Sequence, residues 1–121
     1  MAILERNDKN SVAYILLNSP ETLNSLSDEM LDALINEFEN LKNDPQIRAV
    51  VLSGAGKAFC AGHNLKEMTK GRNAEDGGKA YFLDLFERCA KMMMLIQKLP
   101  QPVIAKVHGI ATAAGCQLVA T

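Results

Sequence analysis

The sequence predicts an α/β domain, and three observations carry that prediction. Short apolar, β-favouring runs alternate with longer segments whose apolar residues recur at helical spacing. Gly, Pro, Asn and Asp mark the junctions between them. A chain of 121 residues with 48% hydrophobic and 22% charged residues has the composition of one globular domain, expected to span 1–121.

The elements follow in order. Residues 2–6 and 12–17 read as two strands of a hairpin, with Asn7-Asp8-Lys9-Asn10 as the turn. After Asn18-Ser19-Pro20 a helix is expected, with Ser27 as N-cap and Asp28 and Glu29 in the first turn. Its apolar stripe is Met30, Leu31, Leu34, Ile35, Phe38 and Leu41, and Asp44-Pro45 stops it. Residues 48–53 form a buried type of strand, and Gly54-Ala55-Gly56 turns out of it. Beyond a polar stretch at 69–78, Tyr81, Phe82, Leu85, Phe86, Cys89, Met92, Met93 and Ile96 lie on one face of a second long helix. The methionines there read as core or subunit contact. Pro100 and Pro102 end this helix, residues 103–107 form a strand, and residues 109–115 form a small-residue loop into an apolar helix starting near Cys116. That helix has run about one and a half turns by Thr121 with no capping residue, so a piece of a longer domain is expected.

Bulk properties exclude several classes of function. A net charge of −1 gives no basic field for a nucleic-acid backbone or an anionic membrane surface. Lys106, His108, Gly109 and Gly115 interrupt the weakly polar run at 103–120, so it does not read as a membrane span. Cys60, Cys89 and Cys116 are three widely spaced cysteines without a CxxC pair, which fits a reducing compartment. The first residues show no leader, and the expected location is cytoplasmic in a bacterium, or mitochondrial in a eukaryote after leader removal.

Familiar glycine and histidine motifs fail on inspection. A phosphate loop ending at Lys57-Ala58 would need Gly at Val51 and Ser or Thr at Ala58, and Phe59 stands where a dinucleotide fingerprint needs its third Gly. His63 and His108 have no second ligand at metal-binding spacing, so no metal is expected. Glu75-Asp76 reads as a solvated pair in a polar loop.

Two segments remain, residues 58–68 and residues 102–118, each a strand feeding a loop of small residues and then a helix start. Such junctions leave backbone N–H groups unpaired. Two of them face to face could cradle a developing oxyanion, because small side chains let a carbonyl approach the backbone. The alternative is two tight packing loops.

Their wording resembles the crotonase (enoyl-CoA hydratase/isomerase) superfamily. Phe59-Cys-Ala-Gly-His-Asn-Leu-Lys-Glu-Met68 is similar to the family's F-x-A-G-x-D-[IL]-x-E-M segment, and residues 102–118 to its P-V-I-A-x-V-x-G-x-A-x-G-G-G-x-E-L segment. Asn18-Ser-Pro-Glu-Thr-Leu-Asn-Ser-Leu26 looks like an earlier N-x-P-x-x-x-N-[AS]-L stretch. The H-N-L-K-E-M and A-T-A-A-G-C-Q-L wording matches the enoyl-CoA hydratase domain-containing protein 3 group at both loops.

The resemblance implies the N-terminal part of a spiral of ββα units, reaching past the second loop, in trimers or dimers of trimers. It also implies a CoA thioester as substrate, with no separate cofactor. The family's oxyanion donors fall on the backbone N–H groups of His63, after Ala61-Gly62, and Ala114, before Gly115. His63, Asn64, Leu65 and Lys66 would line the CoA pocket, with the backbone of Thr22, Leu23 and Asn24 facing the nucleotide. Lys66 would approach a CoA phosphate or stand as an ordinary exposed lysine. Gln117 occupies the place of a catalytic glutamate, and a second family glutamate falls beyond Thr121. A carboxamide holds a water but cannot act as a general base near neutral pH. Asn64 replaces an aspartate and keeps a helix-capping oxygen. Three readings stay open: an acyl-CoA hydratase or isomerase, a non-catalytic acyl-CoA-binding or regulatory protein, and an inactive fragment.

Overall fold

The computed structural model describes residues 2–121. Leu4–Lys9 (β1) and Val12–Leu17 (β2) pair antiparallel, with Lys9 opposite Val12. The turn is Asn10-Ser11, at φ 54° and 66°, the left-handed pair that a two-residue type I′ turn requires. This corrects the expected turn at 7–10. Asn7, Asp8 and Lys9 continue an edge strand, where exposed polar side chains are tolerated. Arg6 ties this strand to the next helix, donating to Asp8, Glu37 and Asp44 at 2.8, 2.7 and 3.1 Å.

Asp28–Lys42 (α1) starts as expected, with the Ser27 hydroxyl accepting the Met30 N–H at 3.1 Å. Ala49–Gly54 (β3) then returns parallel to β2, and Val103–Ala105 (β5) lies parallel to β3, giving the sheet order β1-β2-β3-β5. Each parallel pairing needs a crossover. The first is α1 and the second includes Lys79–Lys98 (α3). The two helices pack on one another, and Arg88 of α3 grips Asp28 and Asp32 of α1 as well as its own Asp84. Ile15 and Leu17 of β2, Val50 and Leu52 of β3, the α1 stripe and the Leu85–Ile96 face of α3 form one core. Met92 and Met93 belong to it, as their spacing predicts, while Met94 is exposed.

A second, smaller sheet pairs Ala58–Cys60 (β4) parallel with Ile110–Ala111 (β6). Two residues are too few to show a period, so the sequence gives no sign of β6. The expected strand at 103–107 ends at Ala105, because the chain leaves β3 once the Lys106 N–H has reached the Leu52 carbonyl at 2.8 Å. Leu65–Arg72 (α2) occupies part of the supposed polar loop at 69–78. Within the remainder, Asp76 accepts the N–H groups of Gly78 and Ala80 at 2.9 and 3.0 Å and fixes the entry to α3. Ala114–Ala120 (α4) begins two residues before the expected Cys116. Among the described residues, no helix is long and apolar enough to cross a membrane.

Burial separates residues of similar type. Leu34 is fully enclosed between α1 and its neighbours, whereas Leu83 on α3 is 59% exposed. Leu34→Ala should cost about 2–5 kcal/mol in urea unfolding, and Leu83→Ala should stay within about 0.5 kcal/mol.

Candidate functional site

The two segments singled out in the sequence come together. From β4 the chain passes through Ala61, Gly62 and His63 into α2, and from β6 through Thr112 and Ala113 into α4. The Thr112 N–H donates to the Cys60 carbonyl at 3.1 Å, locking one loop to the other. Gly115 sits so close to β4 that a Cβ there would collide with the Cys60 carbonyl. Gly62, at φ +95°, presents its hydrogen-only face to the second loop, where a Cβ would lie 3.2 Å from the Ala114 nitrogen. Gly115 needs glycine for sterics, and Gly62 needs it for its conformation. Ala113 holds a positive φ of 53° without that freedom, a strained arrangement imposed by the same approach.

The backbone N–H groups of His63 and Ala114 end up on neighbouring loops. Among the described residues neither donates a hydrogen bond. Their neighbours are committed: Gly115 donates to Thr112, and Cys116 and Gln117 both donate to Ala113.

A third segment fixes the first loop from behind. Leu26 donates to the Gly62 carbonyl at 2.6 Å, and Ala61 donates to Leu23 at 3.0 Å. Asn24 is fully buried; its carbonyl oxygen accepts from the Ser19 N–H at 2.8 Å, and its amide donates to Ala55 and Ala58 at 2.8 and 3.0 Å. Asn64 caps α2, accepting the Glu67 N–H at 3.1 Å, and its amide donates to Ser25 at 3.3 Å. Glu67 in turn accepts the Asp28 N–H at 2.9 Å, so α2 helps cap α1.

The first loop and the segment behind it border a cleft of about 270 Å³, whose lining does not include Ala114 or any other residue of the second loop. Six expected residues line it: Thr22, Ala61, His63, Asn64, Leu65 and Lys66. Glu21 and Ser25 also line it and were missed, since a short 3-10 turn at Pro20–Thr22 sets their direction and carries no periodic signal. Leu23 and Asn24 do not line it. Leu23 takes a left-handed conformation and gives its carbonyl to Ala61, and Asn24 faces inward to join three loops. Gly62 and Gly115 are spacers between the loops, and Gln117 lies exposed on α4. Lys66 is exposed at the rim, where both an ordinary surface lysine and a phosphate contact remain compatible with its place.

A larger depression of about 530 Å³ lies elsewhere, beside Lys42, Arg48 and Gln101. The Gln101 amide donates to the Leu41, Asp44 and Ile47 carbonyls there and anchors the end of α1. Among the described residues no three His, Cys, Asp or Glu side chains are placed to hold a metal ion. His108 instead pairs with the Gly56 carbonyl at 2.6 Å.

Burial pushes the His63 imidazole below its ordinary value, against weaker opposing effects of the Leu26 carbonyl and Asp28. Burial also raises the Cys60 thiol, which stays neutral inside the site. The folded His63 resists a proton that the unfolded chain accepts, so its contribution to stability is present above about pH 6.5 and is lost as pH falls below that. Urea midpoints at pH 7 and pH 5.5 should differ less in His63→Gln than in the parent. Asn24→Ala should cost about 3 kcal/mol in the same measurement, since it strands one buried N–H and two carbonyls.

Residues 7–121 match the model of the family described as enoyl-CoA hydratase/isomerase. The chain is 44% identical to the mitochondrial enoyl-CoA hydratase domain-containing protein 3 of Xenopus laevis over 113 residues, 93% of this chain and 37% of that protein. It is 39% identical to the 1,2-epoxyphenylacetyl-CoA isomerase of Escherichia coli, covering 88% of this chain and 40% of that one. Among solved structures, an enoyl-CoA hydratase of Mycobacterium smegmatis superposes with a TM-score of 0.91 at 51% identity, covering 99% of this chain and 45% of that chain. Human enoyl-CoA hydratase domain-containing protein 3 superposes with a TM-score of 0.88 at 36% identity, covering 98% and 45%. The crotonase-like fold expected from the motifs is therefore the fold of this chain, which spans less than half the length of these relatives.

Proposed function

The chain belongs to the enoyl-CoA hydratase/isomerase family, and from that premise we propose that it binds the thioester of an acyl-CoA with its carbonyl oxygen between the N–H groups of His63 and Ala114. The observation that carries this reading is the pair of N–H groups, adjacent across the Gly62 contact and without a hydrogen-bond partner among the described residues. Unmet donors beside a cleft stabilise charge that develops on an oxygen, and they need no reorganisation when it does. A thioester whose α-carbon loses a proton places that charge on the carbonyl oxygen, so the product of the step is an enolate.

The cleft supports the orientation. The CoA chain lies along Ala61, Asn64 and Leu65, with Thr22 at one side and the Lys66 ammonium near the phosphates. An exposed lysine suits that role because it carries a mobile positive charge on a flexible stem. Hydration, isomerisation or a related step of fatty-acid metabolism follows, in the compartment where such thioesters occur. Trimers or dimers of trimers would cover exposed apolar residues such as Leu83, Phe86 and Ile104.

Gln117 favours a second reading, a protein that binds acyl-CoA and does not hydrate it. It is exposed on α4 and carries no titratable group. The two readings share the same thioester contacts and differ in turnover.

Ala114→Pro tests the shared part. Position 114 is the first residue of α4, and proline there removes the N–H; circular dichroism of the variant checks that the strained Ala113 before it keeps its fold. In the purified full-length protein, the infrared shift of the thioester carbonyl on binding should vanish. Any turnover should fall about 100-fold or more. An unchanged shift would remove Ala114 from the site.

A further inference from the structure

Leu65 and Lys66, at the start of α2, form one wall of the cleft. Yet none of the eight residues of α2 is buried, whereas α1 and α3 bury five each. Met68 packs against the core only in part, and Gly71 lies on the Tyr81 ring, where a Cβ would collide. Among the described residues, Lys66, Glu67, Lys70 and Arg72 form no ion pair. Of residues 65–75, Glu67 alone hydrogen-bonds to a distant part of the chain among the described residues, its carboxylate accepting the Asp28 N–H at 2.9 Å. So short a helix does not stand in water by itself, and α2 therefore depends on these few contacts.

Resting on the acyl-CoA reading above, we propose that α2 is an order–disorder gate of the cleft, with Glu67 as its latch and the bound CoA ester as the ligand that closes it.

The latch joins two helix ends. Asp28 is the first residue of α1, so its N–H has no acceptor within that helix. The Glu67 carboxylate supplies one, and it lies at the positive end of the α1 dipole. The surroundings of α2 set the limits of the unwinding. On one side the Asn64 amide donates to the Ser25 hydroxyl at 3.3 Å, and Leu26 donates to the Gly62 carbonyl, so His63 stays in place when α2 melts. On the other, Gly77 and Gly78 have φ of +71° and +94°, and Asp76 fixes the entry to α3. Melting between these limits takes Leu65 and Lys66 out of the wall and widens the cleft. A ligand that touches both residues binds the ordered state better than the melted one, and that difference in affinity closes the gate.

Hydrogen–deuterium exchange of the purified full-length protein, read by mass spectrometry, tests this. In the free parent, the amides of α2 should exchange about tenfold or more faster than those of the buried α1 stripe. Glu67→Ala should speed exchange in α2 by about another tenfold through loss of the charged acceptor, even though alanine itself favours helix. Glu67→Gln keeps an acceptor oxygen and should recover most of the protection. Saturating butyryl-CoA, with its binding followed by calorimetry, should slow α2 by about tenfold and leave the α1 stripe unchanged. An α2 that exchanges as slowly as α1 in the free parent would overturn the gate, and exchange in Glu67→Ala within about twofold of the parent would overturn the latch. Bound butyryl-CoA that leaves α2 unchanged would overturn closure by the ligand with the thioester reading intact. No binding by calorimetry would overturn that reading, while the rates in the free protein still decide the gate and its latch.

Discussion

The approach of Gly115 to the Cys60 carbonyl is the constraint on which the rest of the site depends. It brings α4 against β4 at backbone distance, which no residue with a side chain permits. Once that contact is made, Thr112 bonds to Cys60, Ala113 is forced to a positive φ, and Ala114 arrives beside Gly62. The small sheet of β4 and β6 is the other half of the same arrangement, since its parallel pairing runs both strands into their loops in the same direction.

What holds this geometry is polar and buried rather than apolar. Asn24 joins the turn at Ser19 to the carbonyls of Ala55 and Ala58, and Leu26 and Ala61 exchange bonds with the loop on either side of it. These groups lie away from water, so each needs its partner. Farther out, Glu67, Asp28 and Arg88 connect α2 to α1 and α1 to α3.

Large parts of this were legible in the sequence. The stripes of α1 and α3, the Ser27 cap and the β3 run have long periods or strong local chemistry, and they stand where the residues place them. The hairpin turn was misplaced by three residues because Asn7, Asp8 and Lys9 have turn-like composition and only cross-strand pairing shows them to be strand. β6 and the 3-10 turn at Pro20–Thr22 are too short to leave a pattern. At the site, the motifs located the two loops and six residues of the cleft. They gave no sign of what the Asn24 side chain does, because its partners Ala55 and Ala58 lie more than thirty residues away and only the fold brings them to it.

The unpaired N–H groups of His63 and Ala114 are main-chain groups, and that has an evolutionary consequence. Every residue except proline carries an N–H, so positions 63 and 114 can accept many side chains while the polar contact they offer stays the same. Selection is then felt one step away, at Gly115, where an added carbon would collide with the Cys60 carbonyl, and at Gly62, whose positive φ disfavours a side chain. A scaffold of this kind can change the side chains at both positions without changing the main-chain groups beside them.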